Sequence, residues 1–163
     1  MTIQQGDQLP DAELRMMGTE GMQTVSAQAF LGQGRVALFA VPGAFTPTCS
    51  KAHLPGFVVL SDKLKAAGVD KIACVSVNDA FVMDAWGKSA NADGVIHMLA
   101  DGNGDFTRAL GLELDARGGG MGMRSQRYSM LLEDGRIALL NVEAPKAFEV
   151  STAEYMLNQL QQR

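Results

Sequence analysis

Arg35-Val36-Ala37-Leu38-Phe39-Ala40-Val41-Pro42-Gly43-Ala44-Phe45-Thr46-Pro47-Thr48-Cys49 decides how this chain folds. Arg35 to Val41 is a short, nearly unbroken apolar run, the pattern of a central strand buried on both faces. Pro42 and Gly43 end it with a turn. A helix is then predicted from about Thr46 to Ala67, stopped by Gly68. Its apolar residues Leu54, Phe57, Val58, Leu60 and Leu64 share one broad face. Pro55 falls inside it and predicts a kink, because proline lacks an N–H and clashes with the preceding turn. Cys49 therefore lies in the first turn of a helix that follows a buried strand. Helix starts favour anions and cysteine reacts as its thiolate, so the position reads as an activated nucleophile.

The same pattern repeats downstream. Lys71 to Val77 is a second apolar strand, and Asn78 or Asp79 can cap a helix running to about Ser89. Val95 to Ala100 is a third strand. Asp101 to Gly104 is a turn, followed by a short helix to Leu110. Arg117 to Gly122 reads as a flexible glycine-rich loop. Arg127 to Glu133 and Arg136 to Val142 are two strands joined by Asp134-Gly135, a strong hairpin signal. A last helix is predicted from about Thr152 to Gln162. Strand–helix alternation followed by a hairpin and a helix gives an α/β fold, a mixed β-sheet flanked by helices. No repeat or long linker divides residues 1–163, so a single domain is expected.

The 163 residues are 47% hydrophobic and 20% charged, with a net charge of −4. That composition suits an ordinary globular domain and argues against a nucleic-acid partner, which needs a basic face. No apolar run approaches a membrane span, and the first residues lack a signal-peptide pattern, so a cytoplasmic protein is the default expectation. Cys49 and Cys74 are too few for a disulfide scaffold. With His53 and His97 they lack zinc-ligand spacing, so no metal site is expected. Asp101-x-Asn103-x-Asp105 opens like a calcium loop, but Phe106 and Leu112 replace the glycine and glutamate that such a loop needs. The glycines of 118–122 lack the Lys-Ser/Thr of a phosphate loop.

Several stretches resemble the peroxiredoxins, and within them the type II (peroxiredoxin-5-like) subfamily. They are residues 42–57 (PGAFTPTCSKAHLPGF), 75–88 (VSVNDAFVMDAWGK), 100–112 (ADGNGDFTRALGL) and 127–135 (RYSMLLEDG). The resemblance implies a thioredoxin-like fold and thiol-dependent reduction of hydrogen peroxide and organic hydroperoxides, with no metal, haem or flavin required. It maps the peroxidatic cysteine to Cys49, its hydroxyl partner to Thr46, the shielding proline to Pro42 and the activating arginine to Arg127. Arg124 is a near neighbour, and the Arg-Tyr-Ser pattern favours Arg127. It also implies a homodimer, and glutaredoxin with glutathione, or thioredoxin, as reductant. Animal members carry a resolving cysteine near the C-terminus, where this chain has Phe148-Glu149-Val150-Ser151. Cys74, which some plant and bacterial members share, either resolves Cys49 or is inert core.

Those residues match what the chemistry requires. A thiolate attacks one peroxide oxygen while the other leaves with its electron pair. Arg127 adds a permanent charge that favours anionic sulfur and the developing oxyanion. Thr46, one helical turn before Cys49, can bond both sulfur and peroxide. Pro42 and Pro47 offer walls without donors. The product is a Cys49 sulfenic acid. His53, one turn after Cys49, is read as a packing or hydrogen-bonding residue rather than a base. Phe45, Phe81, Met83 and Trp86 are read as core or as a dimer surface. A thiol–disulfide oxidoreductase is disfavoured, since Thr46 stands where a Cys-x-x-Cys pair would place its first thiol. A sensor using the same sulfenic acid is the other rival.

Overall fold

A computed structural model describes residues 1–163 and places the apolar run in β3 (Arg35–Ala40). β3 lies between β4 (Lys71–Ser76), which runs parallel to it, and β8 (Tyr128–Glu133), which runs antiparallel. β5 (His97–Ala100) extends the parallel side, and β9 (Arg136–Val142) closes the other edge. The hairpin at Asp134-Gly135 forms as predicted, with positive φ at both residues (49° and 82°), as a type I′ turn demands.

The first 34 residues carry three elements that the sequence reading did not name. β1 (Glu13–Gly18) and β2 (Gly21–Ser26) make a hairpin, and a short helix α1 (Ala27–Leu31) follows. β1 pairs with β5, giving a seven-stranded mixed sheet in the order β2-β1-β5-β4-β3-β8-β9. Of the β1–β2 residues only Leu14 is fully buried, so these edge strands lack the apolar signature of the central ones.

The predicted long helix is corrected in its middle. Residues 47–59 and 61–66 are helical, but Cys49–His53 is a π turn that precedes α2 (Leu54–Val59). The Leu54 N–H donates to the Cys49 carbonyl, five residues back. Pro55 thus falls in the first turn of α2, where its missing donor costs nothing, and the wide turn takes up the strain. The break comes instead at Leu60, where ψ is 8°, before α3 (Ser61–Ala66).

Helices cover both faces of the sheet. α2 and α3, with α4 (Ala80–Ser89) and α6 (Ala153–Gln161), bury Leu54, Phe57, Leu64, Trp86 and Met156 against one face. α1 and α5 (Asp105–Leu110) bury Leu31, Phe106 and Leu110 against the other. Of the two possible caps for α4, Asp79 accepts from the Val82 N–H at 2.8 Å. Asn78 instead accepts from the Ala44 N–H and ties the 42–46 turn to the end of β4. The glycine-rich segment is the tip of a two-stranded ribbon, β6 (Glu113–Asp115) and β7 (Met123–Ser125), also unforeseen.

Candidate active site

Where β3 ends, the chain must turn sharply to place a helix over the sheet. Phe45 takes a left-handed conformation (φ 64°) to do so, a strain of about 1 kcal/mol for a residue with a side chain. The turn delivers Thr46 and Cys49 to one side of the helical start. Cys49 is fully buried beneath the turn.

Two donors converge on its sulfur. Thr46 Oγ1 lies 2.8 Å and Arg127 Nη2 3.0 Å from Cys49 Sγ. Thr46 Oγ1 also lies 2.7 Å from the Gly43 carbonyl, and its one proton serves either that oxygen or the sulfur. A protonated thiol donates to Thr46, which then donates to Gly43; a thiolate takes the Thr46 proton itself. The guanidinium is an obligate donor and favours negative charge on sulfur in either arrangement. Arg124 goes elsewhere: its Nε donates to the Met121 carbonyl at 2.8 Å and its Nη1 reaches the Pro42 carbonyl at 3.4 Å.

His53 closes the other side of Arg127. Its Nδ1 lies 2.8 Å from Arg127 Nη1 and its Nε2 lies 2.9 Å from the Ser151 carbonyl. Arginine can only donate, so Nδ1 accepts and Nε2 carries the proton. Burial, and secondarily the charge of Arg127, push the imidazolium down from 6.5 to about 3, against the opposing pull of the Ser151 carbonyl. The ring is neutral near pH 7 and packs against Phe39 and Phe148. Its contacts are those of a hydrogen-bonding and packing residue.

A cavity of about 420 Å³ opens over this cluster, lined by Pro42, Thr48, Leu114, Arg127 and the Glu143–Phe148 segment. Besides the Arg127 guanidinium, Gln126, Glu143 and Lys146 stand among its apolar walls, and the fully buried Cys49 does not itself line it. No group of three or more His, Cys, Asp or Glu side chains gathers to hold a metal. Cys74, also fully buried, lies on β4 under the same helices. Burial pushes its thiol well up, nearby Cys49 adds to that, and Arg127 opposes it.

The roles of three residues around the site were not foreseen. Trp86 Nε1 donates to Ser50 Oγ at 3.0 Å and braces the first helical turn. Glu143 and Ser151 enter through His53. Of the four candidate core or surface residues, Met83 and Trp86 are core, while Phe45 and Phe81 are exposed.

The Redoxin family model matches residues 4–157. Peroxiredoxin-2E, chloroplastic, of Arabidopsis thaliana is 48% identical over 98% of this chain and 70% of its own length. Peroxiredoxin-2E-2, chloroplastic, of Oryza sativa subsp. japonica is 50% identical over 98% of this chain and 73% of its own. The crystal structure of reduced Prx3 in complex with H2O2 from Vibrio vulnificus is 58% identical, covers 98% of this chain and 99% of its own, and superposes with a TM-score of 0.94. The fold is therefore the thioredoxin-like one of these proteins. The cytoplasmic expectation is corrected by the two chloroplastic relatives. Compartment is not written in a domain's core chemistry, so composition gave no hold on it. No helix is long and apolar enough to cross a membrane.

Proposed function

We propose that this chain, which belongs to the Redoxin family and is a peroxiredoxin within it, reduces hydroperoxides at Cys49 with Thr46, Arg127 and Pro42 as its working partners. The family's peroxidase activity is thiol-dependent, with a peroxide as substrate and a thioredoxin-type reductant. One observation carries the residue assignment: Thr46 Oγ1 and Arg127 Nη2 meet at Cys49 Sγ, at 2.8 and 3.0 Å.

Cys49 Sγ, as thiolate, attacks the outer oxygen of ROOH. The S–O bond forms as the O–O bond breaks, and the electron pair leaves on RO⁻, which takes up a proton as ROH. Arg127 stabilises charge first on sulfur and then on the leaving oxygen. Thr46 holds sulfur and peroxide in line, a positional contribution that intramolecular chemistry shows to be large. Pro42 lines the cavity without a donor and limits water around sulfur. Hydrogen peroxide fits this reading, since the Vibrio relative carries it in its reduced form.

The sulfenic acid then condenses with a second thiol, releasing water, and a further thiol exchanges that disulfide to restore Cys49. An external thiol, glutathione with glutaredoxin or a thioredoxin, is the reading favoured here. Cys74 is buried and holds its proton, so it supplies little thiolate for an internal step. The whole of 1–163 acts as one domain, and exposed Phe45 in the active-site turn and exposed Phe81 on α4 suit a homodimer face.

Intact-mass analysis after one equivalent of peroxide, with glutathione present, tests this reading. Wild type and Cys74→Ser should gain one glutathione, and Cys49→Ser should gain nothing and turn over no peroxide. Turnover by Cys49→Ser would overturn the site. A wild-type loss of two hydrogens that Cys74→Ser abolishes would overturn the external step.

A further inference from the structure

Glu143 follows β9 directly, and its N–H donates to the Arg127 carbonyl at 3.0 Å, continuing the β8–β9 register by one pair. The two side chains therefore start as cross-strand neighbours, close enough for an ion pair. None forms: no carboxylate pairs with Arg127. Glu143, only 7% exposed, commits its carboxylate to the 149–151 segment instead. Its Oε2 accepts from the backbone N–H groups of Glu149, Val150 and Ser151 at 2.8, 2.9 and 2.8 Å, and from Ser151 Oγ at 2.7 Å.

Those four bonds fix the backbone at the point where the Ser151 carbonyl meets His53 Nε2, at 2.9 Å. That bond, together with Arg127 donating to Nδ1, sets the imidazole tautomer. Nδ1 is left as the acceptor that holds Arg127 Nη1 at 2.8 Å while Nη2 faces the sulfur at 3.0 Å. The connection runs from a buried carboxylate, through one strap of backbone and one ring, to the guanidinium.

We propose that Glu143 is a positioning residue of the peroxidase centre: by clamping residues 149–151 it holds His53 in the tautomer that aims Arg127 at Cys49. The proposal rests on the assignment of Cys49 and Arg127 made above. Its physical basis is the cost of fixing a long, rotamer-rich side chain at one point. Groups that orient metal ligands from behind are commonly worth about 10–100-fold in activity, a guide for a guanidinium held the same way, and a misplacement of about 1 Å costs on the order of 100-fold. The clamp also keeps the carboxylate itself off the guanidinium, which a direct ion pair would draw from sulfur.

The test uses the full chain with Glu143→Ala and Glu143→Gln, checked for folding by circular dichroism. Stopped-flow gives the second-order rate of Cys49 with hydrogen peroxide, iodoacetamide gives its alkylation rate, and imidazole ¹⁵N NMR gives the His53 tautomer. Glu143→Ala should slow the peroxide reaction roughly 10–100-fold and alkylation by less than about fivefold, because only the peroxide step also needs Arg127 at the leaving oxygen. The single Nε2–H tautomer should give way to a mixture. Glu143→Gln keeps the shape and a neutral acceptor, and should lie between; if the alanine variant does not fold, it decides by the same readouts. A folded variant with an unchanged tautomer and a peroxide rate within threefold of wild type overturns the proposal, as does a parallel fall of both rates. Failure of the underlying assignment looks different, because wild type would then show no Cys49-dependent reaction with peroxide.

Discussion

Lowering the pH below about 6.5 should weaken this protein through His53. The ring lies among Phe39, Phe57 and Phe148, and its only polar partners are Arg127 and the Ser151 carbonyl. Burial first, and the guanidinium second, hold its folded value at about 3, against 6.5 when unfolded. A protonated ring would also point an N–H at Arg127 Nη1 across 2.8 Å, donor against donor. Between those two values the unfolded chain binds a proton at this position and the folded one does not. The contribution is therefore complete above 6.5 and is lost as the pH falls towards 3. Linkage gives a loss of about 2 kcal/mol from pH 7 to 5, and about 3 kcal/mol by pH 4.

Urea unfolding of wild type and His53→Gln at pH 7 and pH 5 measures it. His97 is also held down, chiefly by burial, and weakens the fold in the same direction, so the informative quantity is the difference between the two proteins. Wild type should lose about 2 kcal/mol more than His53→Gln over that interval. Equal losses would refute the buried, neutral ring. The peroxide rate supplies a second check: an inflection near pH 6.5 that disappears in His53→Gln would make the ring a working base, contrary to its contacts.

Two further substitutions follow from the geometry. Thr46→Val keeps the shape of the side chain but removes the hydroxyl 2.8 Å from Sγ, and should slow the stopped-flow reaction with peroxide by about 100-fold; a change under threefold would remove Thr46 from the chemistry. The Tyr128 hydroxyl is buried without a partner, so Tyr128→Phe should leave stability unchanged or raise it by about 1 kcal/mol in urea titration, and a loss above about 1 kcal/mol would reveal a bond the geometry does not contain.

The parts of the structure that were legible in sequence are those that short-range physics determines. The apolar runs of β3 and β4 announce strands buried on both faces, and Asp134-Gly135 announces its hairpin, because each needs only neighbouring residues to be read. The turn that sets Thr46 and Cys49 together is equally local. The edge strands β1 and β2 were silent, since an edge needs few buried side chains. The π turn at Cys49–His53 was silent too: proline in a helix signals a disturbance but not the form of its relief. Arg127 became visible only through resemblance, since 78 residues separate it from Cys49 and nothing local marks an arginine at a strand start as catalytic.

Glu143 was hidden for a more specific reason. Counted outward from the Asp134-Gly135 turn, a regular hairpin would set Val142, not Glu143, opposite Arg127. The register holds for Glu133 with Arg136 and Leu132 with Ile137, then shifts so that Leu131 faces Leu139. Ala138 is the extra residue of a β-bulge, and every pair beyond it moves by one. Because side chains alternate faces, that slip decides which residues of β9 share a face with Arg127. With it, Val142 packs with Tyr128 against the α5 side, while Leu139 joins the face that carries Cys49. Without it the carboxylate would stand one position away, on the opposite face, and the strap at 149–151 would lose its anchor beside the guanidinium. The bulge is masked in the sequence because Ile137, Ala138, Leu139 and Leu140 are all apolar, so there is no alternation for it to break. The alignment of Arg127 on Cys49 is in this sense a property of the sheet's register, set at Ala138.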